Sequence, residues 1–218
     1  MGDEQDLTAS VETFVVPSDD PGALQQALDI LHSGGLVAFP TDTVYGLGAL
    51  ANDLRSIERL YAVKGRDSSK AIPLLISDPS ELGKVAAQVD SRTQRLAVRY
   101  WPGPLTLVVP RHASLPHILT PYPTVGVRMP DHPVALALIR RTGPLAVTSA
   151  NLSGQPSAET AQEVLSYLGG KIELVLDGGR TPGGVSSTVV DCSSAELKIL
   201  RQGPISLEEL YFVLSDDK

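Results

Sequence analysis

Cysteine is almost absent from this 218-residue chain. Cys192 stands alone, so no internal disulfide framework can staple the fold. Aromatic residues make up only 5% of the sequence, and they do not alternate with basic ones in the way a nucleic-acid stacking surface requires. Basic residues number 18 against 25 acidic ones, a formal net charge of -7. That balance argues against a broad nucleic-acid footprint, because neutralising phosphates takes clustered Lys and Arg, and it leaves room only for local basic pockets. No apolar run reaches membrane-spanning length, no signal peptide is evident, and Met1-Gly2 opens no lipidation pattern. The expectation is a cytoplasmic protein without a membrane.

What is present is enough apolar sequence, 42% hydrophobic with 20% charged, to bury one sizeable core. Residues 1–10 and 215–218 lack periodicity and are expected as tails around a single domain over 11–214. Within it, strand and helix signals interleave. Strands are expected at 12–16, 36–41, 72–76, 105–109, 124–129, 145–149, 172–176, 187–191 and 197–200. Between them, Leu24, Leu28 and Leu31 recur at helical spacing until Gly34-Gly35, and Asp53 caps a helix that ends at Lys64-Gly65-Arg66. Asp78-Pro79 opens a further capped helix, and 91–100, 132–141 and 159–168 also read as helical. Ser206-Leu207-Glu208-Glu209 is a capping box that starts a last helix. The alternation predicts an α/β fold, a mixed sheet flanked by helices.

Several turns carry more polar chemistry than a connector needs. Pro40-Thr41-Asp42-Thr43-Val44-Tyr45-Gly46-Leu47-Gly48 follows a buried strand with hydroxyls, glycines and an aromatic ring, a composition suited to a small polar ligand at an α/β crevice. Thr148-Ser149-Ala150-Asn151-Leu152-Ser153-Gly154 repeats the theme, and the glycine-rich run 178–188 places Ser186, Ser187 and Thr188 at the entrance to a strand. Lys64, Arg66, Arg128 and Arg201 supply cations beside strand or helix ends. Lys64 and Arg66 could simply complement a helix dipole. Arg66 with Ser68, Ser69 and Lys70 forms a polar basic loop, however, and the planar Arg fork suits carboxylate and phosphate.

Other motifs fail on spacing. Gly46-x-Gly48-x-x-Ala51 is no dinucleotide fingerprint, because Thr41 to Tyr45 separate the strand from the first glycine and the helix cap comes only at Asp53. Gly169-Gly170-Lys171 is no Walker A, and Gly-x-Ser-x-Gly is absent. His32, His112, His117 and His132 show no metal spacing, Cys192 reads as a small buried hydrophobe, and Trp101 reads as a core anchor for its turn.

Taken in order, Pro40 to Leu47, Lys64-Gly65-Arg66, Trp101-Pro102-Gly103-Pro104-Leu105-Thr106, Val127-Arg128-Met129-Pro130, Thr148-Ser149-Ala150-Asn151 and Ser187 to Asp191 resemble the motifs of the YrdC/TsaC family, the threonylcarbamoyl-AMP synthases. The resemblance spans about 23–203. It implies an open twisted α/β sheet with a concave basic cleft, of the type shared with DHBP synthase. It also implies a reaction in which L-threonine, bicarbonate or CO2, and ATP, with Mg2+, give L-threonylcarbamoyl-AMP and pyrophosphate. A separate transferase complex would then pass the group to an adenosine of certain tRNAs. Long multidomain carbamoyltransferases share this domain, but their acylphosphatase and zinc-finger segments have no counterpart in this sequence, and the C-terminal extension of longer synthases is not expected.

Carried over residue by residue, the resemblance implies L-threonine contacts at Thr43, Arg128 and Ser187. It implies ATP contacts at Arg66, Lys70, Thr124, Ser149, Asn151, Ser157 and Arg201, with Lys64 and Arg66 acting on the phosphates. Many relatives follow Lys-Gly-Arg with Pro and place a His near threonine; Asp67 and Ser77 stand there instead, making Ser77 a candidate threonine contact. A binding module for double-stranded RNA or tRNA, without chemistry, is the competing expectation.

Overall fold

Neighbouring residues in the strands point to opposite layers, and that period of two builds the molecule. The computed structural model describes residues 10–182 and 184–215. In chain order its elements begin β1 (Phe14–Pro17), α1 (Ala23–His32), β2 (Val37–Phe39), β3 (Gly46–Leu50), α2 (Leu54–Lys64), β4 (Leu74–Leu75), α3 (Leu82–Val85), α4 (Ser91–Tyr100) and β5 (Leu105–Pro110). They continue with β6 (Thr124–Arg128), α5 (Pro133–Thr142), β7 (Leu145–Ser149), α6 (Ala161–Leu168), β8 (Leu174–Asp177), β9 (Thr188–Asp191), β10 (Lys198–Arg201) and α7 (Leu207–Ser215).

The ten strands form one mixed sheet in the order β1-β8-β2-β3-β7-β4-β6-β5-β9-β10. Val37, Phe39, Leu75, Leu145, Val147, Leu174 and Leu176 point to the face covered by α1 and α5. Their neighbours Ala38, Leu74, Ala146 and Val175 point to the opposite face, where α2, α4, α6 and α7 pack. The first face is covered only in part. Leu75 and Val147, which meet α1 and α5 on one side, also border an open cavity that continues over β6, β5 and β9.

Local chemistry sets the element ends. Asp53 accepts from Arg55 N and Ser56 N to start α2, and Gly65, at φ 55°, closes it in the left-handed region. Ser206 N donates to Glu209 Oε2 at 2.8 Å while Glu209 N donates to Ser206 Oγ at 3.2 Å, so the capping box before α7 is formed. Trp101 is buried and its Nε1 donates to Leu105 O at 2.7 Å, anchoring the turn before β5.

Three expectations are corrected. Residues 46–48, read as the end of a long turn, instead open β3, which runs antiparallel to β2 with Phe39 opposite Gly46. Glycine is a poor strand former, but here it is needed: a Cβ on Gly48 would lie 2.8 Å from Phe39 Cε1, and one on Gly46 would lie 2.8 Å from Val147 Cγ1. The strand expected over 72–76 shortens to the two residues of β4, since Pro73 has no N–H to give the ladder. The helix expected after Asp78 is a 3₁₀ turn, Pro79–Glu81, leading into the single turn of α3.

Thr188 ties β9 to the segment before α7. Its fully buried Oγ1 donates to Ile205 O and accepts from Gly203 N at 3.1 Å and Ile205 N at 2.9 Å. Thr188→Val keeps the shape but leaves those amides without an acceptor, so it is expected to lower unfolding free energy by about 2 kcal/mol or more. A urea titration reads this as a lower midpoint with an unchanged slope.

Candidate active site

The cavity on the half-covered face has a volume of about 250 Å³ and is lined by side chains from distant parts of the chain, among them Thr43, Arg66, Arg128, Ser149, Ser187 and Arg201. Six of the anticipated residues therefore meet in one place. The turn after β2 enters it first. Thr41 Oγ1 donates to Val44 O at 2.7 Å and accepts from Thr43 N at 3.2 Å, folding the turn onto itself and holding both hydroxyls in the interior.

Arg128, at the end of β6, is the buried arginine of the three. Nε donates to Gly103 O at 3.0 Å, Nη1 to Thr43 Oγ1 at 2.9 Å, and Nη2 pairs with Asp42. Burial pulls the guanidinium below its ordinary range and Asp42 opposes that shift. Arg66 and Arg201 differ: neither has a carboxylate partner among the described residues. Arg66 donates through Nε to Lys70 O at 3.2 Å and through Nη2 to Ala71 O at 2.8 Å. Arg201 donates through Nε and Nη2 to Ser187 O at 3.1 and 2.9 Å. Burial lowers both, and the positive charge of Arg66 lowers Arg201 further. Two cations held by carbonyls, with no carboxylate partner among the described residues, have the chemistry that suits an anion from outside.

Ser187 ties Arg201 to β5. Its Oγ accepts from Arg201 Nη2 at 3.1 Å and lies 2.8 Å from Thr106 Oγ1. Thr106, Thr41 and Thr148 line the cavity without having been singled out as ligand contacts. Thr106 closes the Trp101-to-Thr106 motif, and that position was the available signal. Tyr45 reaches the other way: its hydroxyl donates to Gly179 O at 2.8 Å and accepts from Gly178 N at 3.1 Å, and burial raises its pKa to about 12.

Other anticipated residues lie outside the lining. Lys64 is buried beneath it, and its Nζ donates to Ser149 O at 2.5 Å and to Asn151 O. Asn151 Nδ2 donates to Leu152 O and Gln155 O, while Oδ1 is buried without a partner. Lys70 contributes its backbone carbonyl to Arg66 and has an exposed side chain. Thr124 shares the β6 face of Gly126 and Arg128, two residues before the first of these. Ser157 is half-buried beside Ala158, and Ser77 donates both N and Oγ to Glu81 Oε2 at 2.9 Å, closing the turn before α3. Among the described residues no three His, Cys, Asp or Glu gather where they could hold a metal ion, and burial raises the Cys192 thiol to about 12.

Fold and cavity together define an α/β protein with a cation-lined cavity on a half-covered sheet. The family model Sua5_yciO_yrdC, described as "Telomere recombination", matches residues 29–203, and the chain belongs to this family. It is 42% identical to the threonylcarbamoyl-AMP synthase of Bacillus subtilis over 93% of this chain and 59% of that protein. It is 38% identical to that of Vibrio cholerae over 83% of this chain and 97% of the relative. The crystal structure of Pyrococcus abyssi Sua5 complexed with L-threonine superposes with a TM-score of 0.89 at 40% identity, covering 94% of this chain and 61% of that one. The chain thus spans about three-fifths of the Bacillus and Pyrococcus proteins. No helix among the described residues is long and apolar enough to cross a membrane.

Burial depresses Lys64 from 10.5 to about 7, with Arg66 adding to the shift. Between those values the unfolded state holds one more proton than the folded one, so this group makes stability rise with pH above 7 and adds no slope below it. Relative to Lys64→Met, the wild-type protein is expected to gain about 1–2 kcal/mol between pH 7 and 8.5. Denaturant melts of both proteins across that range check it, and parallel pH profiles would refute it.

Proposed function

We propose that the chain forms L-threonylcarbamoyl-AMP and pyrophosphate from L-threonine, bicarbonate or CO2, and ATP, the first step toward threonylcarbamoyladenosine in tRNA. The observation that carries this reading is the division of cations in one cavity. Arg128 is braced by Thr43 and Asp42, and Arg66 and Arg201 stand without carboxylates. The first group suits an amino-acid carboxylate and the second suits phosphates. The name of the Bacillus relative and the threonine in the Pyrococcus complex support the same assignment.

The chemistry asks for no protein nucleophile. The neutral amine of threonine adds to CO2 to give a carbamate. A carbamate oxygen then forms a bond to the α-phosphorus as the bond to pyrophosphate breaks. Such a transfer depends on alignment and charge stabilisation. Arg128, Thr43 and Ser187 would orient the amino acid, and Arg66, Arg201 and Ser149 would hold the phosphates and meet the charge that builds on them. Lys64 would act from below, fixing the carbonyls of Ser149 and Asn151. Among the described residues no acidic cluster could hold a metal ion, so a magnesium ion would come with the nucleotide and would supply neutralisation of phosphate charge. Thr124 and Ser157, outside the cavity lining, are assigned to the nucleotide side. Lys70, Asn151 and Ser77 act through the backbone and turns they brace. The product would pass to a separate tRNA-modifying transferase in the cytoplasm.

Incubating the purified chain with ATP, Mg2+, bicarbonate and L-threonine is expected to release pyrophosphate and yield a product with the mass of the adenylate. Salt-sensitive retention of double-stranded RNA without threonine-dependent pyrophosphate release would favour the binding-module reading instead. Arg66→Ala should lower adenylate formation by about 10²-fold, the loss of one preorganised donor. Near-normal turnover would remove Arg66 from the role.

A further inference from the structure

Each nitrogen of Arg128 has a partner, yet the guanidinium is not saturated. Nε donates to Gly103 O, Nη1 to Thr43 Oγ1 and Nη2 to Asp42 Oδ1, so two of the five N–H groups of an arginine are left over. The partners come from two loops that close on the end of β6. Arg128 lines the cavity and Asp42 does not. Asp42 lies toward His132, which feels its charge, and the side chains of the ion pair are only 8% and 13% exposed. A cation so placed is useful to a ligand only if its direction is set before the ligand arrives.

We propose that Asp42 is a positioning residue that tunes the cavity for a carboxylate-bearing amino acid: it holds Arg128 from behind, so that the two remaining N–H groups face an incoming carboxylate. The inference rests on reading the cavity as an L-threonine site. It opposes the other role this contact allows, in which Asp42 is a stand-in carboxylate that the amino acid must displace. The two roles predict opposite signs. Neutralising a brace weakens threonine binding, whereas neutralising a competitor tightens it.

The test uses the full chain as wild type, D42N and D42E, each checked for cooperative melting, with D42S replacing D42N if the latter does not fold. Pyrophosphate release is titrated with L-threonine and with ATP. L-Threoninol, which lacks the carboxylate, is titrated as a competitor. D42N is expected to raise KM for L-threonine on the order of 10-fold, the scale of losing a partner that orients a ligand-binding group, while KM for ATP stays within about twofold. The preference for threonine over threoninol should narrow by the same factor, and D42E should restore most of it. General damage to the fold would weaken ATP as well and leave that preference alone. A folded D42N or D42S protein that keeps the wild-type preference, or binds threonine more tightly, overturns the inference. Wild-type protein that binds no threonine overturns the reading of the cavity and this inference with it, a failure visible before any substitution is made.

Discussion

Burying the charge of Arg128 is the constraint around which the rest of the site is arranged. A guanidinium taken out of water needs acceptors on every side, and its neighbours on β6 cannot supply them because their carbonyls are engaged in the sheet. The turn after β2 therefore brings Asp42 and Thr43, and the loop before β5 brings the carbonyl of Gly103. Gly103 is held in turn by its N–H to Met129 O at 2.9 Å, one residue beyond Arg128. Two loops far apart in the chain are thus fixed to a strand end by a polar group at its centre. The shape of the cavity follows from that attachment.

Beneath the opposite wall a second cation serves the scaffold. Lys64 ends α2 and could have pointed outward to complement its helix dipole, or upward to a phosphate. It lies instead under the loop after β7, gripping two carbonyls, while its own carbonyl accepts from Ser153 N at 2.9 Å. With a pKa near 7 the amine still has two protons to donate when neutral, so the grip survives loss of the charge. Arg66, two residues on, keeps its fork at the cavity because the left-handed turn at Gly65 changes the chain's direction between them.

Features decided within a few residues were legible in the sequence. The Asp53 and Ser206 caps, the Gly65 stop and the Trp101 anchor depend on chemistry between near neighbours. So was the alternation that sends Val37 and Phe39 one way and Ala38 the other. β3 was not legible, because Gly46 and Gly48 mark a turn by their own preference and a strand only once Phe39 and Val147 press against them. Within the site, motif order identified the segments that converge. It could not tell a side chain that enters the cavity from one that supports it. Lys64 and Arg66 have similar chemistry and nearly the same address, and burial alone separates them. Ser77 likewise read as a ligand hydroxyl, but its protons go to Glu81, a partner that only the turn before α3 makes available.

Ser187 ties the end of β10 to β5, its carbonyl and hydroxyl both taking donors from Arg201 while the hydroxyl also touches Thr106. One small residue is therefore shared by two strands that border the cavity. Drift at this position cannot be confined to a single contact, and change in either neighbour alters what is tolerated in the other. Such a junction makes substitutions here strongly epistatic, so that a reshaped cavity would need Thr106, Ser187 and Arg201 to change in concert rather than one at a time.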